Sequence, residues 1–241
     1  MEYKLSEIDH HRFGLIIAKA TLNDTDELSI LNERSRSDQV ALLIIRVPTH
    51  FLAVAQSLEL DGSLIADTLV YYQNLNIRVS NVELPNGYSS RYAQLEDALS
   101  LEELALDVFS NYFGHYHADK KLNKQDCDRV YSSWAANSCL DGNVADKVIL
   151  IEKNRELVAF ASLKVKSPEA VEGVLFGVSP KHRKIGLHLC LMRLALNWCS
   201  GSGYKHFITS TQINNIHVQK NWTRLGFELS GSYYTFHKWF K

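Results

Sequence analysis

The chain has 241 residues, with 26 lysines and arginines against 27 aspartates and glutamates, which gives a formal net charge of −1. Apolar residues make up 46% of the sequence and charged residues 22%. This balance is typical of a folded globular protein of one or two domains and excludes a largely disordered chain. Because basic residues are not in excess, a nucleic-acid partner is not predicted.

Neither a membrane segment nor a secretion signal is predicted. The sequence has no run of roughly 18 apolar residues, and residues 1–14 lack the apolar core of a signal peptide. The cysteines form no Cys-x-x-Cys pair and have no zinc-type spacing with histidine; they are Cys127, Cys139, Cys190 and Cys199. We therefore expect reduced thiols, a cytoplasmic location and no metal site.

The first part of the chain predicts a small α/β unit. Strands are predicted at residues 12–20, 40–47, 64–72 and 77–84. The unbroken apolar run at 40–47 is typical of a buried strand. A helix is predicted at 24–34, where Asp24 can cap it, and another after Thr49.

A turn-rich, polar stretch at residues 85–95 predicts the domain junction. Residues 1–90 would form the smaller α/β domain and residues 91–241 the larger one. The elements predicted for the larger domain are helices at 95–109 and 124–137, a hairpin at 147–152 and 157–165, a strand at 171–178, a helix at 186–200, a strand at 206–211, a helix at 215–225 and a final strand or hairpin at 227–239. Mixed strands and helices in this order predict an α/β (α+β) fold.

A basic loop joins a predicted strand to the apolar helix that begins near Gly186. Lys181, His182, Arg183 and Lys184 surround the first turn of that helix, where unpaired amides carry a partial positive charge. Gly186 lets a ligand approach the backbone closely. These features favour an anion site suited to a pyrophosphate, and a basic turn before a core helix is the alternative. The Walker pattern is absent, so a P-loop NTPase is not predicted.

Two motifs in the second half of the chain follow each other in a specific order. The first is Arg183-Lys-Ile-Gly186-Leu-His188, and the second is Asn215 followed by Leu225-Gly226-Phe227. Together with the order of elements they resemble the GNAT superfamily of acyl-CoA-dependent N-acetyltransferases, whose cofactor signature is [Arg/Gln]-x-x-Gly-x-[Gly/Ala]. His188 departs from that signature. The resemblance covers roughly residues 95–241 and implies a GNAT fold, a mixed central sheet flanked by helices.

Motifs in the first half of the chain narrow the resemblance from the superfamily to one of its subgroups. Arg12-Phe-Gly14, Leu43-Ile-Ile-Arg46, Gln56-Ser-Leu-Glu59 and Ala66-Asp-Thr-Leu69 are similar to the leading domain of TDP-fucosamine acetyltransferase and related nucleotide-sugar enzymes. This similarity implies acetyl-CoA as the acyl donor and the amine of a nucleotide-linked aminosugar as the acceptor. A homodimer is expected only from the habit of the family.

The resemblance also implies a role for individual residues in binding acetyl-CoA. The backbone amides of Phe176, Gly177 and Val178 would face the thioester carbonyl. The backbone of the loop and the following helix would bind the pyrophosphate, through Arg183, Lys184, Ile185, Gly186, His188 and Leu189. Asn215 would contact the pantetheine region.

The position of the family's usual tyrosine acid, seven residues after Asn215, is occupied by Trp222. An indole N–H donates but does not titrate, so Trp222 cannot serve as that acid. Three explanations stay open. Another group could act, such as His217, Tyr233 or a water; the reaction could proceed without a dedicated acid; or the protein could bind acyl-CoA without efficient turnover.

The resemblance implies that the loop at residues 110–122 contacts the acceptor, and one apolar strand carries a further candidate contact. His115, His117 and Asp119 are candidates for the base that removes a proton from the acceptor ammonium. We expect His117 to be the catalytic one and His115, Tyr116 and Asp119 to bind the substrate. Asp67 interrupts an apolar strand and is either a further substrate contact or a locally paired structural residue. A solvated loop is the alternative for the histidines.

Two other functions are compatible with the sequence. The chain could acetylate another small amine, an amino acid or a peptide N-terminus, or it could be a weakly catalytic acyl-CoA-binding protein, as Trp222 suggests. The sequence has no Gly-x-Gly-x-x-Gly motif of a dinucleotide enzyme.

Overall fold

The computed structural model describes residues 1–240 and contains a ten-stranded sheet with helices on both faces. The strands are β1 (Glu2–Leu5), β2 (Ile17–Thr21), β3 (Leu42–Pro48), β4 (Leu64–Asn74), β5 (Tyr88–Tyr92), β6 (Lys147–Lys153), β7 (Glu156–Ser167), β8 (Ala170–Val178), β9 (His206–Gln212) and β10 (Glu228–Trp239). The helices are α1 (Glu7–Phe13), α2 (Glu27–Ser37), α3 (Leu52–Leu60), α4 (Ala98–Val108), α5 (His115–Ala118), α6 (Lys124–Leu140), α7 (Leu187–Gly201) and α8 (Ile216–Arg224).

The strand order in the sheet is β1-β2-β3-β10-β4-β9-β8-β7-β6-β5. The pairs β2–β3 and β8–β9 are parallel, and the other pairs are antiparallel. The last strand, β10, lies between β3 and β4. The division into domains at residues 1–90 and 91–241 stays a prediction. The sheet is continuous across this boundary, because β10 from the second part has both of its neighbouring strands in the first.

Four apolar clusters fill the space between the sheet and the helices. On one face, α2 and α3 pack near β3 around Ile45 and Leu58, and α7 and α8 pack over β6 to β9 around Leu191 and Phe207. On the other face, α4 and α6 cover β6 to β8, and α1, α5 and α6 cover β2 and β3 near Tyr116. This mixed sheet between two helical layers confirms the predicted fold class.

Several predicted elements of the second half are confirmed within a few residues. The predicted hairpin is β6 and β7, joined at Asn154 and Arg155, which have φ angles of 52° and 67°. Two left-handed residues in a row are typical of a type I′ hairpin turn. Helix α6 is capped by Asn123, whose side chain accepts from the amides of Gln125 and Asp126.

The N-terminal predictions need correction. The predicted strand at 12–20 is wrong in its first part, where α1 ends at Phe13 and Gly14 closes it with a φ of 65°. Helix α2 begins at Glu27 instead of following an Asp24 cap. Thr49 does not cap α3, since its hydroxyl oxygen lies 2.5 Å from that of Ser232 on β10.

The predicted strand at 77–84 is also wrong. Its apolar residues Ile77, Val82 and Leu84 pack individually against the cluster beneath α7. The Asn197 side chain on α7 bonds both the amide and the carbonyl of Ser80, in place of a strand partner. The short edge strand β5, with mostly exposed side chains, lies instead in the stretch predicted to be the turn, and 227–239 forms one strand rather than a hairpin.

Candidate active site

The parallel strands β8 and β9 separate partway along their length. They pair only over residues 170–173 and 206–209; beyond that point β9 keeps its pairing to β4 and β8 keeps its pairing to β7. A Cβ atom on Gly173 would lie 2.7 Å from the rings of both Phe176 and Phe207, so glycine is required where the strands part. Within residues 1–240, the fork-facing amides of β8 past this point have no strand partner.

A cleft of about 580 Å³ opens at this fork. Tyr112 and Tyr131 line it from the side of α4 and α6, and His188, Val218 and Trp222 line it from α7 and α8. Because its lining comes from helices on opposite faces of the sheet, the cleft passes through the sheet where β8 and β9 diverge. Its volume is in the range of small-molecule sites.

The loop between β8 and α7 is tied down by its own side chains. Arg183 donates from Nε to the carbonyl of Val178 at 3.2 Å and from Nη2 to the carbonyl of Val108 at 2.9 Å. The Nδ1 atom of His182 lies 2.8 Å from the hydroxyl of Tyr88 on β5. These bonds fix the loop to the end of β8, the last turn of α4 and the sheet edge.

The same loop turns tightly into α7 and keeps a positive charge. Lys184 and Gly186 have left-handed φ angles of 67° and 90°, and Gly186 is the N-cap of the helix, with no side chain to satisfy the first amides. In the described part of the chain, no carboxylate lies within ion-pair distance of Lys181, Arg183 or Lys184. Free amides and free cations together make an anion site.

His188 lies in the first turn of α7 and lines the cleft. Its Nδ1 atom is buried and has no hydrogen-bond partner among residues 1–240. Burial lowers the pKa of His188 to about 4, and the charge of His217 contributes in the same direction. The imidazole is therefore neutral at pH 7 and presents an unsatisfied nitrogen.

Trp222 presents a second unsatisfied atom. Asn215, Val218 and Trp222 all line the cleft, and their helical spacing puts them on one face of α8. The indole of Trp222 is 3% exposed, and its Nε1 donor has no partner in the described residues. A buried donor of this kind costs about 1–3 kcal/mol, so a ligand acceptor atom would be stabilising here.

The part of the cleft wall that the sheet forms carries both negatively and positively charged side chains. Asp67 on β4 accepts from Gln212 Nε2 at 3.2 Å, while its buried Oδ1 has no partner within residues 1–240. Arg46 on β3 donates to the hydroxyl of Tyr71 at 3.3 Å and, like Lys4, has no carboxylate within ion-pair distance in the described part of the chain. Arg46, Lys4 and Asp67 all line the cleft.

A buried carboxylate organises the far wall. Asp9 lies 2.6 Å from Lys19 Nζ and 2.9 Å from Arg12 Nη1, and it accepts the hydroxyl proton of Tyr116 at 3.0 Å. Burial raises the pKa of Asp9, but the charge of Lys19 and the hydrogen bonds from Lys19, Ser6 and Tyr116 outweigh it and hold the pKa below its usual value. Burial, then the Asp9 charge, raises the pKa of Tyr116 well above 10, so this hydroxyl is a donor and not an acid.

A chain of three side chains leads from the interior of the protein to the cleft. Asp119 Oδ2 lies 2.8 Å from His237 Nδ1, and His237 Nε2 lies 2.9 Å from His115 Nδ1. The indole of Trp239 donates to the same Asp119 oxygen at 2.8 Å. Asp119 and His237 are buried, and His115 lines the cleft.

The comparisons with known proteins agree with this geometry. The family model described as the acetyltransferase (GNAT) family matches residues 100–227, more than half of the chain. The chain belongs to the GNAT family. It therefore carries an acetyltransferase domain, as the Arg183 loop and the Asn215 helix had indicated.

Individual relatives are distant. The spore coat polysaccharide biosynthesis protein SpsD of Bacillus subtilis (strain 168) is 23% identical over 145 residues, which are 59% of this chain and 48% of that protein, so the chain spans about half the length of this relative. A GCN5-related N-acetyltransferase from Sphaerobacter thermophilus has a TM-score of 0.65 at 11% identity, covering 98% of this chain and 76% of that one. One from Kribbella flavida has a TM-score of 0.63 at 15% identity, covering 92% and 81%. These structures confirm the predicted GNAT fold.

The residues expected to bind acetyl-CoA fall into two groups in this GNAT chain. Phe176, His188 and Asn215 line the cleft. Gly177 and Val178 lie on β8 past the fork but do not line the cleft. The remaining residues lie at or next to the start of α7, also outside the cleft lining; they are Arg183, Lys184, Ile185, Gly186 and Leu189. The side chain of Arg183 anchors the loop rather than facing the cleft.

The residues expected to be catalytic lie outside the cleft lining. His217 is exposed on α8, and Tyr233 on β10 packs against the ring of Tyr71 at 5.4 Å. His117 has both ring nitrogens in use, since Nε2 lies 3.0 Å from Asp128 and Nδ1 accepts from the amide of Gly114 at 3.2 Å.

Of the residues expected to bind the acceptor, Asp67, His115 and Tyr116 line the cleft and Asp119 lies behind it. Sequence reasoning missed Arg46, Tyr131, Gln212 and His237. An arginine inside the buried strand β3 and a histidine inside β10 were the available signals, since polar side chains in such strands need a partner or a ligand.

Membrane-spanning helices and metal-binding clusters are both absent from residues 1–240. Among residues 1–240, no helix combines the length and apolarity needed to cross a bilayer. Over the same residues, no three histidine, cysteine or acidic side chains are grouped so that they could hold a metal ion.

Proposed function

We propose that this protein transfers the acetyl group of acetyl-CoA to the amino group of a nucleotide-linked aminosugar. The observation that carries the proposal is the fork between β8 and β9, which opens the cleft through the sheet beside the free first turn of α7. Acetyl-CoA, when bound, supplies an acetyl group activated as a thioester.

The residues at the fork fit this donor. The unpaired amides at the start of α7, with Lys181 and Lys184 beside them, would hold the pyrophosphate. The unsatisfied Nδ1 of His188 and Nε1 of Trp222 would bond the polar atoms of the pantetheine arm. The free β8 amides near Phe176 would stabilise negative charge that develops on the thioester oxygen.

The other side of the cleft supports a nucleotide-linked acceptor. Arg46 and Lys4 offer unpaired positive charge to phosphates. The rings of Phe109 and Tyr131 stack at 4.9 Å, and Trp134 continues the row with its centroid 6.4 Å from that of Tyr131. Such a row suits a sugar or a base. The polysaccharide pathway named for the Bacillus subtilis relative is consistent with this class of acceptor.

Calorimetric titration with acetyl-CoA tests the donor site. We expect micromolar binding by the wild type and none by Gly186→Trp, which fills the loop and strains a backbone with a φ of 90°. Gly201→Trp is the matched control, because Gly201 ends the same helix and nothing lies near its Cβ direction. No binding by the wild type would contradict the proposal.

A CoA-release assay tests the acceptor. UDP-glucosamine and dTDP-linked aminosugars are compared with glucosamine, spermidine, amino acids and a peptide N-terminus. We expect the nucleotide-linked amines to have the highest kcat/KM. Arg46→Ala should raise KM for them about tenfold, the effect of losing one charge-assisted hydrogen bond, and should leave glucosamine unchanged. Preference for spermidine or a peptide would contradict the acceptor class.

The buried indole of Trp222 favours a second candidate function, an acyl-CoA-binding protein with weak turnover. The same two assays separate the candidates. Acetyl-CoA binding at micromolar strength, with no CoA release from any of these amines, would favour the binding protein.

A further inference from the structure

We infer that His115 is the general base that takes a proton from the acceptor amine, and that His237 and Asp119 are positioning residues that hold it in the required tautomer. This inference rests on the proposed function. It is carried by the continuous hydrogen-bonded chain from Asp119 through His237 to His115, and by the position of His115 at the cleft wall.

The tautomers follow from the buried end of the chain. Asp119 accepts from the indole of Trp239 and from the amide of Lys121, as well as from His237. Burial raises the pKa of Asp119, but the hydrogen bonds of His237, Trp239 and Lys121 outweigh it and keep the carboxyl ionised. An ionised Asp119 requires a proton on His237 Nδ1.

The hydrogen bond between His237 and His115 then determines the tautomer of His115. In the proposed arrangement His237 carries a single proton, on Nδ1, and has a lone pair on Nε2, so His115 donates from Nδ1 across the 2.9 Å contact. His115 Nε2 is then an acceptor, and it has no partner among residues 1–240. The lone pair that a base needs therefore belongs to the ring that lines the cleft.

The surroundings keep His115 unprotonated until an amine arrives. Burial lowers the pKa of His115 well below its usual value, and the positive charges of Arg46 and Lys19 act in the same direction. A second proton on His237, or one on His117, would lower it further. Arg46 comes from β3, Lys19 from β2, His117 from α5 and His237 from β10. Asp67 on β4 also lines the cleft, and its free oxygen can accept from the ammonium.

With His115 as the base, every proton and bond of the acetyl transfer is accounted for. An N–H bond of the acceptor ammonium breaks and its proton joins His115 Nε2, which leaves the amine nitrogen with a lone pair for attack on the thioester carbon. The C–N bond forms, the C–S bond breaks, and the second amine proton leaves with the thiolate as CoA thiol. The imidazolium of His115 is stabilised through His237 by the negative Asp119 and returns its proton to water. The logic is that of a triad with one extra imidazole.

Nitrogen NMR of histidine side chains tests the chain without any substrate. In wild-type protein labelled with ¹⁵N-histidine and assigned through His115→Gln and His237→Gln, we expect His115 to carry its proton on Nδ1 between pH 6 and 8. His237→Leu removes the acceptor and should convert His115 to a mixture of tautomers. A proton on His115 Nε2 in the wild type would overturn the inference.

Kinetics then test the role. His115→Gln should lower kcat on the order of 10²- to 10⁴-fold with UDP-glucosamine, with little change in KM, and should abolish the acidic limb of the pH profile. The loss should be much smaller with hydroxylamine, whose nitrogen is largely unprotonated at neutral pH. His50→Gln, at an exposed position, is the control.

The outcomes separate the two proposals. Equal losses with both amines and an unchanged pH profile would show that His115 is structural and would overturn the inference alone. Asp119→Asn should reproduce part of the kcat loss and shift the acidic limb, whereas a purely structural Asp119 would change only the melting temperature. A wild-type protein that binds no acetyl-CoA would overturn the proposed function, and the general base with it.

Discussion

Among single side chains, His188 makes the free energy of unfolding depend on pH. Its pKa of about 4 in the folded protein lies below the value of about 6.5 of an unfolded histidine. Between these values the unfolded state binds more protons, so the free energy of unfolding rises with pH across that window. The slope approaches about 1.4 kcal/mol per pH unit.

His188→Gln should remove this contribution. We expect the free energy of unfolding in urea to depend less steeply on pH between 4 and 6.5 than in the wild type. His115, whose pKa is also lowered by burial, keeps its own contribution in both proteins. His50→Gln is the control, and an unchanged slope in His188→Gln would contradict the assigned environment.

The indole of Trp222 makes a prediction about ligand binding. Trp222→Phe removes a donor that has no protein partner within residues 1–240, so little stability should be lost with that hydrogen. Acetyl-CoA affinity should fall about tenfold, the effect of one hydrogen bond of about 1–1.5 kcal/mol. Calorimetry measures the affinity and thermal unfolding the stability. Trp198→Phe on α7 is the control, and equal affinities of the wild type and Trp222→Phe would contradict the role.

Between neighbouring strands, close packing at Gly177 holds β8 against β7. A Cβ atom there would lie 2.4 Å from Phe160, which is fully buried. Gly177→Ala should therefore lower the free energy of unfolding by about 1–3 kcal/mol, as measured in urea. Gly142→Ala has open space at its Cβ and should change it little. Equal stabilities of the two variants would show that β7 and β8 are not packed this way.

Because Arg183 anchors the loop before α7, its substitution should weaken acetyl-CoA binding more than it lowers the stability of the fold. Arg183→Ala removes two bonds to backbone carbonyls and loosens the first turn of α7. We expect acetyl-CoA to bind roughly tenfold more weakly, which corresponds to about 1.4 kcal/mol. The melting temperature should change little, because Arg183 is exposed. Arg129→Ala on α6, an exposed position outside the cleft lining, has the same charge change and should bind normally.

Across the whole chain, the two predicted parts complete each other's sheet. Strand β10 has β3 and β4 as its neighbours, and β4 in turn pairs with β9. The cleft likewise takes Arg46 and Asp67 from the first part and His115 from the second. Each part alone would expose long strand edges and half of a site.

A split at residue 90 tests this dependence. Fragments 1–90 and 91–241 should each lack a cooperative unfolding transition and acetyl-CoA binding, and co-expression should yield a 1:1 complex that has both. Circular dichroism and calorimetry measure these properties. Fragment 91–241 that folds and binds acetyl-CoA alone would show that the second part is an independent domain.

The elements that form the proposed acetyl-CoA site could be predicted from the sequence. The strand at β8, the basic loop and helix α7 are contiguous, and a strand end, left-handed residues and a helix N-terminus are local features with local sequence signals. The family followed from the same stretch and from the Asn215 helix. The false strand at 77–84 shows the limit, because its apolar residues have the composition of a strand but pack singly under α7.

The proposed acceptor side of the cleft, in contrast, depends on contacts between residues far apart in the sequence. His115 and His237 are 122 residues apart, and His237 and Asp119 are 118 apart. They meet because β10 lies between β3 and β4, a pairing that depends on long-range burial and not on local periodicity. Residue type and the family resemblance therefore indicated a histidine base on the loop at residues 110–122, with His117 as the expected residue. The fold places His115, and not His117, at the cleft wall.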